Sequence, residues 1–215
     1  MAKELTRYNR IAGYLNKLYD RLNEDFFGGA MERPVITIQS TPKAFAHITL
    51  YEAWTAKGAG FLEINIGAGT LDRPIENVVA SLCHEMVHQH NFINGISDVS
   101  RNGTYHNKRF KQTAEALCGL VISQHPVYGW SLTEPGDKLI EWVLDNNLLD
   151  IELNRNELQT VVGIGGGRGR SDGGEGTTRK SSYRKHTCSA CGLIARTTKE
   201  AKLVCGDCGL PMASE

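Results

Sequence analysis

The chain has 215 residues, 40% hydrophobic and 22% charged, with 24 basic residues balanced by 24 acidic ones. That length buries a core in one or two domains without disulfide staples, and the zero net charge excludes a chain that is basic throughout. No apolar run approaches the roughly 18 residues of a membrane span, and Met1-Ala-Lys-Glu-Leu-Thr-Arg lacks the apolar stretch of a secretory leader, so a cytoplasmic protein with no membrane partner, monomeric by default, is expected.

In chain order, apolar residues at Leu5, Tyr8, Ile11, Leu15, Leu18, Leu22 and Phe26 have helical spacing and predict a helix over 4–27, ended by Gly28-Gly29. Pro34–Gln39, Ala44–Tyr51 and Gly60–Ile66 are short, β-rich and separated by Pro or Gly, which predicts three strands. Asp72-Arg-Pro-Ile-Glu76 signals a helix start, with Pro in the first turn and acids at the positive dipole end. That helix is expected to run to about Ile93. A polar loop, Asn94–Tyr105, leads to a helix from about His106 to Ser123, and a last helix lies near Pro135–Asn147. Strands followed by a helical half make an α+β domain over residues 1–160.

Within the central helix stands His84-Glu85-Met86-Val87-His88, an HExxH pattern. Residues four apart lie one turn above each other on one helix face, so both imidazoles converge on one ion. Glu85 lies about 100° further round, within reach of water at that ion and able to act as its general base. On a helical wheel the two histidines and Glu85 fall opposite the apolar arc of Ile75, Val78, Val79, Leu82 and Met86. A catalytic zinc takes a third protein ligand and keeps a position open. Asn94 stands where HExxHxxGxxH would place a histidine, and His90 points away from His88. His106, after a loop long enough to turn the next helix back, is the favoured third ligand; Glu115 on that helix is the competitor. Cys83 and Cys118 read as small buried hydrophobes, Trp54, Trp130 and Trp142 as packing, and His47 and His125 lack ligand spacing.

The 14 residues Gly163–Gly176 hold eight of the 23 glycines, which marks residues 161–184 as a flexible linker. Beyond it, in residues 185–215, Cys188-x-x-Cys191-Gly and Cys205-x-x-Cys208-Gly form two knuckles separated by 13 residues. Four thiolates close a tetrahedral site with no open position, so this zinc is structural and the module reads as a zinc ribbon. Two Zn2+ ions are thus expected, one catalytic and one structural. From Arg168 to Lys202 nine basic residues face three acids. Arg168, Arg170, Arg179, Lys180, Arg184 and Lys185 are therefore candidate contacts to a DNA backbone. A solvated tail whose ribbon binds protein is the competing reading.

The stretch from Ile64 to Phe110, with INIGAGTLDRPIENVVASLCHEMVHQHNF and the later His106-Asn-Lys-Arg-Phe110, resembles the SprT-like metalloprotease family, which includes bacterial SprT and eukaryotic Spartan. The likeness extends to the order of elements before the helix and to the ribbon after it. It implies a zincin-like fold, zinc ligands His84, His88 and His106, base Glu85, and cleavage of DNA-bound or DNA-crosslinked proteins. Asn107 departs from the family's frequent His-Gly. A different class, a non-enzymatic DNA-binding or transcription-associated adaptor on a zincin scaffold, has no use for Glu85.

Overall fold

The computed structural model describes residues 4–41, 44–156, 184–197 and 201–214. The fold is mixed α+β, with four helices and three small sheets among the described residues. Contacts divide the chain into two compact units, Met1–Val161 and Val162–Glu215. Residues 161–183 of the expected linker, with the candidate DNA contacts Arg168, Arg170, Arg179 and Lys180, lie outside the described residues, and Arg184, its last residue, opens the first strand of the second unit.

In the first unit, α1 (Tyr8–Phe27) buries Ile11, Leu15, Leu18, Tyr19 and Leu22 along one stripe. It stops where Gly28 turns left-handed at φ 65°, and Gly29 N–H bonds back to the Asn23 carbonyl. β1 (Val35–Gln39), β2 (Ala46–Ala56) and β3 (Ala59–Gly67) form a sheet in the order β1-β3-β2. β1 is parallel to β3, and β2 is antiparallel to it with a bulge between Thr49 and Trp54. β2 runs five residues beyond the expected Tyr51, because Lys57 and Gly58 both adopt positive φ and close a two-residue hairpin.

After a 3-10 turn at Ala68–Thr70 comes α2 (Ile75–Ile93). Its N-terminus has no cap of its own; Asp150, 75 residues downstream, accepts from the Ile75 N–H at 2.9 Å. The helix is the centre of the core. Ile75, Val78, Val79, Leu82, Cys83, Met86 and Val87 are all fully buried, and Glu85, His88, Gln89 and Asn91 are buried as well. The helical wheel sets the histidines and Glu85 on the polar side of an amphipathic helix. That side is covered too, since α2 packs against α1, α3, α4 and both sheets.

Short strands β4 (Val99–Ser100) and β5 (Tyr105–His106) precede α3 (Lys108–Cys118). Two expectations are corrected here. His106 lies on β5, ahead of α3. The helix also ends at Cys118 rather than Ser123, because Gly119 takes φ 63° and caps it. The chain then forms a hairpin, β6 (Leu120–His125) and β7 (Gly129–Pro135), in a sheet ordered β4-β5-β7-β6. α4 (Asp137–Asp145) closes the core with Leu139, Ile140 and Val143. Cys83 and Cys118 are buried free thiols. Trp130 and Trp142 pack against the core, whereas Trp54 is exposed and donates to Glu63.

The second unit contains β8 (Arg184–Thr187), β9 (Ile194–Thr197) and β10 (Ala213–Ser214), in the order β10-β8-β9. No helix among the described residues is long and apolar enough to cross a membrane.

Candidate metal centres

His84 and His88 project from one side of α2, and β5 delivers His106 to the same point. Their Nε2 atoms stand 3.1 Å (His84–His106), 3.3 Å (His84–His88) and 3.0 Å (His88–His106) apart. Nitrogens held about 2.0–2.1 Å from a tetrahedral ion stand ~3.3 Å from one another, so the three fit a single metal. Phe110, fully buried in the first turn of α3, contacts all three rings, with centroids 4.5–4.8 Å away.

The far sides of two rings are held. His88 Nδ1 donates to Asp98 Oδ2 at 2.8 Å, and Asn91 Nδ2 donates to the same oxygen at 2.9 Å. Asn91 is in turn held by the Thr113 hydroxyl at 3.1 Å. Burial works to raise the Asp98 pKa, but the hydrogen bond and charge of His88, together with Asn91, hold it below the usual value. His84 Nδ1 lies 2.7 Å from Thr133 Oγ1, whose hydroxyl donates to the Ser131 carbonyl. The Thr133 oxygen therefore accepts from Nδ1–H, as Asp98 does for His88, and both Nε2 lone pairs are left for a metal. His106 is held through its backbone: its N–H donates to the Tyr128 carbonyl at 2.9 Å, and it pairs with Gly129.

Burial, reinforced by the neighbouring imidazoles, drives the His84 pKa well below the usual value and lowers that of His106 to about 4. Neutral imidazoles are the form that binds metal. Glu85 is 6% exposed, and burial pushes its pKa up to about 7 against the opposing pull of His88 and of the Ile48 backbone N–H. A carboxyl poised there exchanges protons near neutrality.

The competing ligands are placed elsewhere. Glu115 is exposed and pairs with Lys111 at 3.4 Å. His90 packs its ring against Phe27, tilted by 45°, on another side of α2. His125 organises the β6–β7 turn by accepting from the Val127 and Tyr128 N–H groups. Asn107 caps α3 by accepting from Arg109 N–H at 2.8 Å, and its amide donates to the Ser97 carbonyl at 2.9 Å, beside Asp98. Sequence reasoning missed Asp98 and Thr133, which have no fixed spacing from the histidines they hold. A polar residue in a loop of matching length was the only available signal for Asp98.

In the second unit Cys188, Cys191, Cys205 and Cys208 bring their sulfurs within 4.8 Å of one another. The knuckles are alike. Cys188 and Cys205 N–H groups bond to the Leu193 and Leu210 carbonyls, while Gly192 and Gly209 N–H groups return to Cys188 and Cys205. Both glycines have positive φ, at 73° and 66°. The backbone N–H groups of Cys191 and Ala190 draw the Cys188 thiol down to about 7, whereas its thiol neighbours, Cys191 first, push Cys208 up to about 12. Crowded thiolates without a counter-charge resist forming, and a bound cation removes that resistance. Arg184 and Lys185 lie on β8, and Lys185 stands directly opposite Arg196 on β9.

Comparison of the chain with protein-family models, curated proteins and solved structures returns no match.

Proposed function

We propose that the first unit is a zinc metallopeptidase of SprT-like, zincin type. The observation that carries this reading is a buried carboxyl, Glu85, raised by burial to about 7 and adjoining the first of three imidazoles that converge on one point. A scaffold has no need of that group. Zinc held by His84, His88 and His106 would supply Lewis acidity to a scissile carbonyl and acidify water. Glu85 takes the proton from the attacking water and carries it to the leaving amine. The Ile48 N–H that now bonds Glu85 lies on the edge of β2 that no strand covers among the described residues. An extended substrate pairs with that edge by β-addition, which lays its backbone across the metal ligands. Asn107, where the resembling family often has Gly, caps α3 and leaves the His106 ligand unaffected.

The substrates are DNA-bound or DNA-crosslinked proteins, with the ribbon as tether. Lys185 stands opposite Arg196, so two basic side chains share one position of the β8–β9 pair, an arrangement suited to a phosphate. A second reading, in which the ribbon recruits protein, draws on exposed Leu193, Ile194, Val204 and Leu210. Zinc-loaded protein and Glu85→Gln are incubated with a DNA-bound protein, with and without DNA. Glu85→Gln retains zinc and cuts nothing. Cleavage that requires DNA supports the tether, DNA-independent cleavage favours the protein-binding ribbon, and equal cleavage by Glu85→Gln refutes the peptidase.

A further inference from the structure

We propose that Arg73, stacked on Phe45, is a subsite for a carboxylate of the peptide substrate, two to three residues from the bond that is cut; this rests on the peptidase reading above. Arg73 Nε donates to the Thr70 carbonyl at 2.7 Å and Nη2 donates to Ser81 Oγ at 3.1 Å. Its Cζ lies 4.0 Å from the centre of the Phe45 ring. These contacts commit two of the five guanidinium N–H groups and leave Nη1 and one N–H of Nη2 without a partner among the described residues. Those remaining groups form the paired edge that a carboxylate engages with both oxygens. The side chain is half-buried, and no carboxylate forms an ion pair with it among the described residues. Burial lowers its pKa to about 10, with only the exposed, sequence-adjacent Asp72 opposing. A cation kept out of water without a counter-ion is costly, and an anion arriving with the substrate removes that cost.

Position ties the cation to the reaction. Ser81 is four residues before Glu85, on the same face of α2 and about 6 Å along the axis. Phe45 is three residues before Ile48, about 10 Å along the strand. Both elements therefore place Arg73 at one end of the line between the β2 edge and Glu85, at the distance spanned by two to three residues of extended chain. Phe45, 54% exposed, fixes the guanidinium plane from the open side.

The test uses full-length, zinc-loaded Glu85→Gln and a pair of capped fluorescent peptides, one alternating Ala and Glu, the other Ala and Gln, read by anisotropy. The Glu peptide binds about tenfold more tightly, the preference disappears with added Arg73→Gln, and Arg73→Lys restores part of it. Arg73→Glu reverses the preference toward an Ala–Lys peptide, which a merely structural role for Arg73 would not produce. A peptide with a free C-terminus and no acidic side chain separates terminal from side-chain carboxylate. Equal binding of the Glu and Gln peptides, or a preference that survives Arg73→Gln, overturns the subsite. If Arg73→Gln does not fold, Phe45→Ala decides, since it leaves the Arg73 hydrogen bonds intact: a weakened preference supports the subsite and an unchanged one overturns it. An oligonucleotide that displaces the Glu peptide with an affinity dependent on Arg73 reassigns the anion to a phosphate and overturns the proposal. An Arg73-dependent preference in a protein whose wild type cuts no peptide refutes the peptidase and leaves the carboxylate site standing.

Discussion

Asp98 shows how one carboxylate reaches the site without touching a metal. It holds the His88 Nδ1 proton and is itself held by Asn91. Asp98→Asn is expected to weaken metal binding about 10–100-fold, measured by chelator competition, with little change in the far-UV circular dichroism. The buried histidines also set a pH dependence for the metal-free protein. His106 falls from 6.5 to about 4 in the fold, and His84 moves the same way. The folded state therefore binds fewer protons than the unfolded one, and this stability, complete above pH 6.5, is lost as the pH falls below it. Glu85 rises from 4.5 to about 7 and acts in the opposite sense, losing stability as the pH rises through that range. Two histidines oppose one carboxyl, so the melting temperature of the metal-free protein falls from pH 7 to pH 5. Glu85→Gln removes the opposing group and steepens that fall; a flat profile in the variant contradicts the assignment.

At the scale of elements, the position of His106 depends on a hairpin that local patterning did not reveal. Leu117, Leu120 and Val121 continue the apolar spacing of α3, so the segment reads as helix through Ser123. Gly119 was the available signal, with Val121 and Ile122 as β-branched support, but spacing alone does not distinguish a helix end from a tolerated glycine. In the structure Gly119 caps α3, and β6–β7 returns to lie beside His106. Gly129 is the contact point. It has φ 70°, and a Cβ there would run into the His106 carbonyl and the Tyr105 ring. Gly129→Ala is expected to cost about 1–3 kcal/mol in denaturant unfolding and to weaken metal binding, because the displaced strand carries His106 with it. The helices and the first three strands were legible because their periods and their Gly and Pro breaks are local. The ends of β2 and α3 were not, since a positive-φ turn set each of them, Lys57-Gly58 the one and Gly119 the other, and spacing alone does not mark such turns.

For the molecule as a whole, the zero net charge is a cancellation. Residues 1–150 hold 14 basic and 17 acidic residues, and residues 151–215 hold 10 and 7. The two units also have separate sources of stability. The first buries a core around α2; the second has short strands and four crowded thiols. A small module of that kind would draw its fold from an ion held by those four cysteines. A strong chelator should therefore abolish hydrogen-exchange protection in residues 184–214 while α1 and α4 stay protected. Simultaneous loss of protection in both units would contradict this division.

The sequence by itself determined the groups whose geometry is local. His84 and His88 share a face because one helical turn separates them, and each cysteine pair meets because a knuckle turns within four residues. Glu85, beside the first histidine, is placed by the same helix. Only the tertiary structure decided what surrounds those groups. Asp98, Thr133, the Ile48 N–H and the Asp150 cap come from distant segments, and no spacing rule links them to α2. Burial is likewise a property of the packed whole. The side of α2 that carries His88 and Glu85 has the polar pattern of a solvated face, yet β2 and the Asp98 loop cover it. Withdrawal from water is what lowers the His84 and His106 pKa values and raises that of the Glu85 carboxyl to about 7.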